Sequence, residues 1–143
     1  MRKMARGFLA VVAGFIVASV VMMLIESING HALYPEMGKA AEGVTDRETL
    51  RAVLASAPLG ALLVVLFGWV LGSLAGGFVA ARLVKGSPSA HALALGGLLT
   101  LAGVANNLML PPPAWFWIPT LLLFLPFVYA GARLAPRREA AES

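Results

Sequence analysis

The stretch 86-GSPSAHALALGGLLTLAGVANNLMLPPPAWFWIPTLLLFLPFVYAGA-132 carries no charged residue, and its reading decides the fold. A bilayer's hydrocarbon core is about 30 Å thick, so one spanning helix takes about 20 apolar residues. This stretch is long enough for two. Pro111, Pro112 and Pro113 interrupt it near the middle, and consecutive prolines lack the amide donors a helix needs. The segment therefore reads as two membrane helices, at about 90–110 and 115–134, joined by a proline turn.

Working outward, the next uncharged run, Ala52 to Ala81, is divided by Pro58 and yields a second span at 59–83. Gly7 to Ile25, bounded by Arg6 and Glu26, gives the first, at about 7–27. Arg2, Lys3 and Arg6 ahead of it resemble the start of a signal peptide. The apolar run exceeds the usual core of about 7–15 residues, however, and no clean small-x-small site follows, so a retained helix is expected. Four spans in 143 residues agree with the composition, which is 59% hydrophobic and 13% charged, with mean hydropathy +0.84. Soluble domains carry about 25% charge, and a chain this short could not hide so much apolar surface from water.

Lys and Arg are enriched in cytoplasmic loops. With the N-terminus inside, Arg2, Lys3, Arg6, Arg82, Lys85, Arg133, Arg137 and Arg138 face the cytoplasm, against Lys39, Arg47 and Arg51 outside. The expectation is an all-α, four-transmembrane-helix bundle in the bacterial cytoplasmic membrane, N-in and C-in. It forms one domain over 1–135, with a disordered cytoplasmic tail at 136–143. The pI near 10.1 then follows from membrane topology and not from nucleic acid. With no cysteine, thiol redox chemistry and thiolate metal sites are absent.

Residues 28–58 form the long outer loop. Asn29-Gly30, Tyr34-Pro35 and Gly38 read as turns. Thr45-Asp46-Arg47-Glu48 fits a capping box, with Thr45 capping and Glu48 reaching back, ahead of a short amphipathic helix at 46–57. An extension of the second span, bent at Pro58, is the alternative reading of that helix.

Small residues recur every four positions. Gly60, Gly68, Gly72, Gly76 and Ala80 mark the second span, and Ala10, Gly14 and Ala18 the first. Such stripes let helix backbones approach closely. Internal packing is the first expectation, and an interface with a second copy or a partner membrane protein is the alternative. Pro119 and Pro126 are expected to bend the last span.

Polar groups at membrane depth are functional candidates because burying them is costly. Glu26, His31, Tyr34, Asn106, Asn107 and Trp115 all fall toward the outer face and form the candidate polar pocket, with Trp117 beside them. Each also has an ordinary reading. Glu26 marks a helix end, the asparagines bond neighbouring helices, and the aromatics form an interfacial belt. His31 and His91 sit at opposite faces, so they cannot share a haem. No metal-ligand spacing and no Ser-His-Asp arrangement is present, and neither cofactor nor metal is expected.

Leu33-Tyr34-Pro35, Pro58, Gly76-Gly77-x-x-Ala80-Ala81-Arg82 and Asn107-x-x-x-Pro111-x-Pro113-x-Trp115 resemble a set of small uncharacterised bacterial membrane proteins over most of residues 7–134. The resemblance implies four helices and brings no activity or site residues. Three functions compete. The first is a non-enzymatic protein that binds a partner protein or lipid. The second is a small oligomeric transporter or channel using Glu26. The third, with least support, is an enzyme acting on lipid or quinone. The second is similar in plan to small multidrug-resistance exporters, but Glu26 near a helix end and the strong charge bias depart from that pattern.

Overall fold

A computed structural model describes residues 1–136, and every described element is helical. Four helical segments are long and apolar enough to cross a membrane: Arg2–Leu33, Leu59–Leu83, Pro88–Met109 and Ala114–Leu134. The expected tail lies outside the described residues except for Pro136. Large apolar side chains such as Phe8, Phe67 and Leu101 are 57–70% exposed, while glycines and alanines fill much of the interior. That inversion of the usual soluble pattern suits helices whose outer surfaces meet lipid.

The first helix, α1 (Arg2–Ile28), does not stop at Glu26. It continues through a π-helical turn, Asn29–Leu33, where the Tyr34 amide donates to the Asn29 carbonyl at 2.7 Å. Asn29-Gly30 is therefore not a turn. The Asn29 side chain is 1% exposed, and its Nδ2 donates across to the Ala61 carbonyl at 2.9 Å. A buried amide donor with a partner on the next helix favours continued winding over a reversal, since an unpaired one would cost free energy.

The chain reverses at Tyr34, and Pro35 opens a short helix, α2 (Pro35–Ala41), where the sequence suggested only turns. Proline suits this first helical position because its missing N–H has no partner there anyway. Gly43, at φ +72°, takes the left-handed conformation that ends α2.

The next helix, α3 (Arg47–Ala55), is capped by Asp46 and not by Thr45. The Asp46 carboxylate accepts from the Thr49 amide at 2.9 Å and from the Thr49 hydroxyl at 2.7 Å. An ionised acceptor at the positive helix end outcompetes the neighbouring hydroxyl, which shifts the start by one residue. Arg47 Nε also donates to the Leu108 carbonyl at 3.1 Å, tying α3 to the end of a later span.

The central element is α4 (Leu59–Leu83), which packs on three others: α1, α5 (Pro88–Met109) and α7 (Phe124–Leu134). An added Cβ on Gly72 would lie 2.8 Å from the Ala18 carbonyl oxygen, so α1 and α4 meet backbone to backbone. Gly77 and Gly131 play the same part between α4 and α7, against the carbonyls of Val128 and Leu74.

The last span is broken. A 3₁₀ turn, Ala114–Phe116, leads into α6 (Trp117–Leu122), and the helix resumes as α7 after Leu123. Pro126 has no amide to donate to Leu122, and its ring crowds that carbonyl. Hydrogen bonds from Leu123 N to Pro119 O and from Phe127 N to Leu123 O keep the two pieces continuous, so the result is a kink.

Candidate functional site

A cleft of about 440 Å³ lies between the π-helical turn, α2, α3 and the start of α4. Leu33, Pro35, Met37, Ala40, Val53 and Ala57 supply its apolar wall. The local sequence explains its shape. Helix α2 can cross the π-helical turn because Gly38 has no Cβ to strike the Gly30 carbonyl, and Tyr34 lies over α4 because Gly60 leaves room for its hydroxyl. The Asp46 cap and the Arg47 tie hold α3 opposite α2.

Three polar side chains reach the cleft: Tyr34, Glu36 and Ser56. Ser56 Oγ donates to the Val53 carbonyl at 3.0 Å, which occupies its proton. Glu36 is exposed and lies 3.6 Å from Lys39 Nζ. Asp46, fully exposed beside α3, titrates below the ordinary aspartate range because the Thr49 hydroxyl and amide both donate to its carboxylate. The cleft lining offers apolar contact with a polar rim, and no nucleophile stands beside a base.

The six polar candidates are distributed around this end of the molecule. Tyr34 lines the cleft. His31 is exposed, with Nδ1 2.9 Å from the Ser27 carbonyl one turn back. Asn106 is exposed on α5, whereas Asn107 is 1% exposed and donates from Nδ2 to Thr120 Oγ1 at 2.9 Å. Thr120 in turn donates to the Phe116 carbonyl at 2.7 Å, so the asparagine closes the hairpin between the third and fourth spans. Trp115 is partly exposed and meets Phe116 edge-on.

Glu26 accepts a hydrogen bond from Trp69 Nε1 at 3.1 Å. Trp69 is 3% exposed and lies between Phe116, edge-on at 5.3 Å, and Phe124 at 5.2 Å. The pairs Gly14–Gly76, Ala18–Gly72 and Asn29–Ala61 set an antiparallel register in which Glu26 is level with Val64. At 1.5 Å per residue, that is roughly 7 Å inside the start of α4.

Trp69, Ser73 and Thr120 are not among the sequence candidates and Asn29 reads there only as part of a turn, yet all four are buried at helix contacts. Asn29 follows Glu26 by three residues and so shares its side of a continued helix, a signal hidden by the Asn-Gly pair. Trp69, Ser73 and Thr120 sit within apolar runs and carry no local signal. The side-chain oxygens of Asn29, Ser73 and Asn107 have no protein partner. Among the described residues no group of three or more His, Cys, Asp or Glu is placed to hold a metal ion. No family model, curated protein or solved structure matches the chain.

Proposed function

We propose that this is a non-enzymatic integral membrane protein of the bacterial cytoplasmic membrane, with both termini inside. In this reading it holds an apolar segment, a lipid chain or part of a partner membrane protein, in the outer cleft between α2 and α3. The carrying observation is that cleft of about 440 Å³, apolar along most of its wall and set where the long helices end. Ligand pockets of about 300–1,000 Å³ with apolar linings and a few polar groups are typical of binding sites. The small-residue stripes favour this location indirectly. Gly14, Gly72 and Gly76 face neighbouring helices within the chain, which leaves them unavailable to a partner. The orientation rests on the eight-to-three distribution of Lys and Arg.

A photoreactive benzophenone amino acid at Met37 or Val53 tests the site in native membranes. Mass spectrometry should find a lipid or protein adduct, with the same residue at Leu101 as the lipid-exposed control. Adducts no different from that control would overturn the cleft reading. Because the chain has no cysteine, Glu42→Cys alone tests orientation. Labelling from the outside is expected, and labelling only from the inside would reverse the topology.

The second reading is a small oligomeric transporter or channel using Glu26. It is favoured by a carboxylate bonded to a buried tryptophan within a spanning helix. In reconstituted vesicles, Glu26→Gln should abolish any cation or proton flux, and unchanged flux would remove the carboxylate from that role.

A further inference from the structure

We propose that the concave basic site at the opposite end of the molecule binds a phosphate group, the headgroup phosphate of an anionic membrane lipid being the source the surroundings favour. A cavity of about 170 Å³ lies between the start of α1, the end of α4 and the start of α5. Arg2, Lys3, Arg6, Lys85 and His91 converge on it, with Gly7 and Val84 completing the wall. These groups come from three elements far apart in sequence, so the cluster is a product of folding and not of one basic run.

Two members are held in place. Arg6 Nε donates to the Leu83 carbonyl at 3.1 Å, which anchors α1 to the C-terminal end of α4. The His91 ring is fixed by Nδ1, 2.8 Å from the Ser87 carbonyl. That carbonyl can only accept, so Nδ1 carries the proton and Nε2 is the remaining ring nitrogen. The ring lies against α1 at Gly7, where any Cβ would strike Nε2. Gly86, at φ +128°, makes the turn that brings Lys85 and α5 together.

Among the described residues no carboxylate lines the site. Every carboxylate among the described residues, from Glu26 through Glu48, belongs to the second half of α1 or the loop beyond it. The one ion pair among the described residues, Lys39–Glu36, is in that loop as well. Arg2 and Arg6, four apart on one helix face, repel each other unless an anion lies between them. The N-termini of α1 and α5 add partial positive charge from free amides. Such a cavity suits an anion with several acceptor oxygens, which Arg and Lys bind with charge-assisted hydrogen bonds.

The wall beside the site argues for lipid. Phe8, Leu9 and Leu93 follow the basic residues on α1 and α5 and are well exposed. Cations next to an exposed apolar surface fit a phosphate at headgroup level with its chains along the helices.

The test uses full-length protein in uncharged detergent, titrated separately with phosphatidylglycerol, phosphatidylcholine and inorganic phosphate. Native mass spectrometry and phosphorus NMR line widths report binding. Phosphatidylglycerol should bind at one site. Lys3→Gln with Lys85→Gln should weaken it about thirtyfold, equivalent to about 2 kcal/mol for two cations. Arg82→Gln with Arg133→Gln removes equal charge outside the cavity and should change binding less than threefold. Arg2→Gln with Lys3→Gln replaces the first pair if that variant does not fold. Binding of inorganic phosphate without phosphatidylglycerol would keep the phosphate site and assign it a soluble source. Binding of neither anion would overturn the proposal, as would equal losses in the control pair, which would mean diffuse surface charge.

Discussion

Gly14 and Gly76 face each other so closely that a Cβ on Gly14 would lie 2.7 Å from the Gly76 carbonyl oxygen, and one on Gly76 2.6 Å from that of Gly14. Lipid tails are as apolar as leucine, so the attraction between such helices is van der Waals contact at short range. The glycine pair sets the distance at which α1 and α4 can make that contact.

Gly76→Ala should therefore destabilise the protein, because the obstacle is backbone and cannot rotate away. Overpacking of this kind costs about 1–3 kcal/mol. Gly97→Ala is the matched control, since nothing lies within 4 Å of its added methyl. It should be neutral or stabilising, as alanine winds into helix more readily than glycine by about 1 kcal/mol. Unfolding by sodium dodecyl sulfate titration, followed by circular dichroism, checks both. Equal stability of the two variants would contradict the close contact.

The Asn107–Thr120 bond predicts a measurable coupling. Asn107→Ala and Thr120→Val, alone and together, form a double-mutant cycle across the third and fourth spans. Interhelical hydrogen bonds in membranes average about 0.6 kcal/mol and reach about 1.7. A coupling energy in that range is expected from the same titration, and strict additivity would mean the bond contributes nothing.

Trp69 separates packing from hydrogen bonding. Trp69→Ala removes a side chain enclosed by Phe116 and Phe124 and should cost about 3–5 kcal/mol. Trp69→Phe keeps one ring there while losing the donor to Glu26 and part of the indole volume, so its cost should be smaller. If the two variants unfold alike, the hydrogen bond is the larger contribution, contrary to this expectation.

The Asp46 cap predicts a pH dependence confined to α3. Donation from Thr49 holds the carboxyl below its ordinary value, so the folded form binds its proton less readily than the unfolded one. The cap's contribution is complete above the unfolded value of about 3.9 and is lost as pH falls through the lower folded value. Amide exchange in residues 47–55, taken relative to the intrinsic rate at each pH, should lose protection across that window. Asp46→Ala should show the faster exchange at neutral pH, and Asp46→Asn should remove the acid dependence while keeping an acceptor.

The limits of the last three long helical segments were legible, to within about two residues, because they depend on local quantities. Pro58 and the charge after Ala81 bracket an expected 59–83, and the helix runs Leu59–Leu83. The triple proline likewise separates Met109 from Ala114. Less was legible at the end that carries the short helices. Asn29-Gly30 favours a turn locally, but Asn29 finds the Ala61 carbonyl and the helix continues.

By itself, then, the sequence determined where the four long apolar helices lie and which residues are small enough to sit between them, because hydropathy, charge and proline act within a few residues. Only the tertiary structure decided which groups meet. It bonded Glu26 to Trp69, paired Asn107 with Thr120, enclosed a cleft between two short helices, and gathered Arg6, Lys85 and His91 around one cavity. Those pairings follow from helix register, which is set by glycine contacts and side-chain packing between segments tens of residues apart. No pattern within a single segment encodes them.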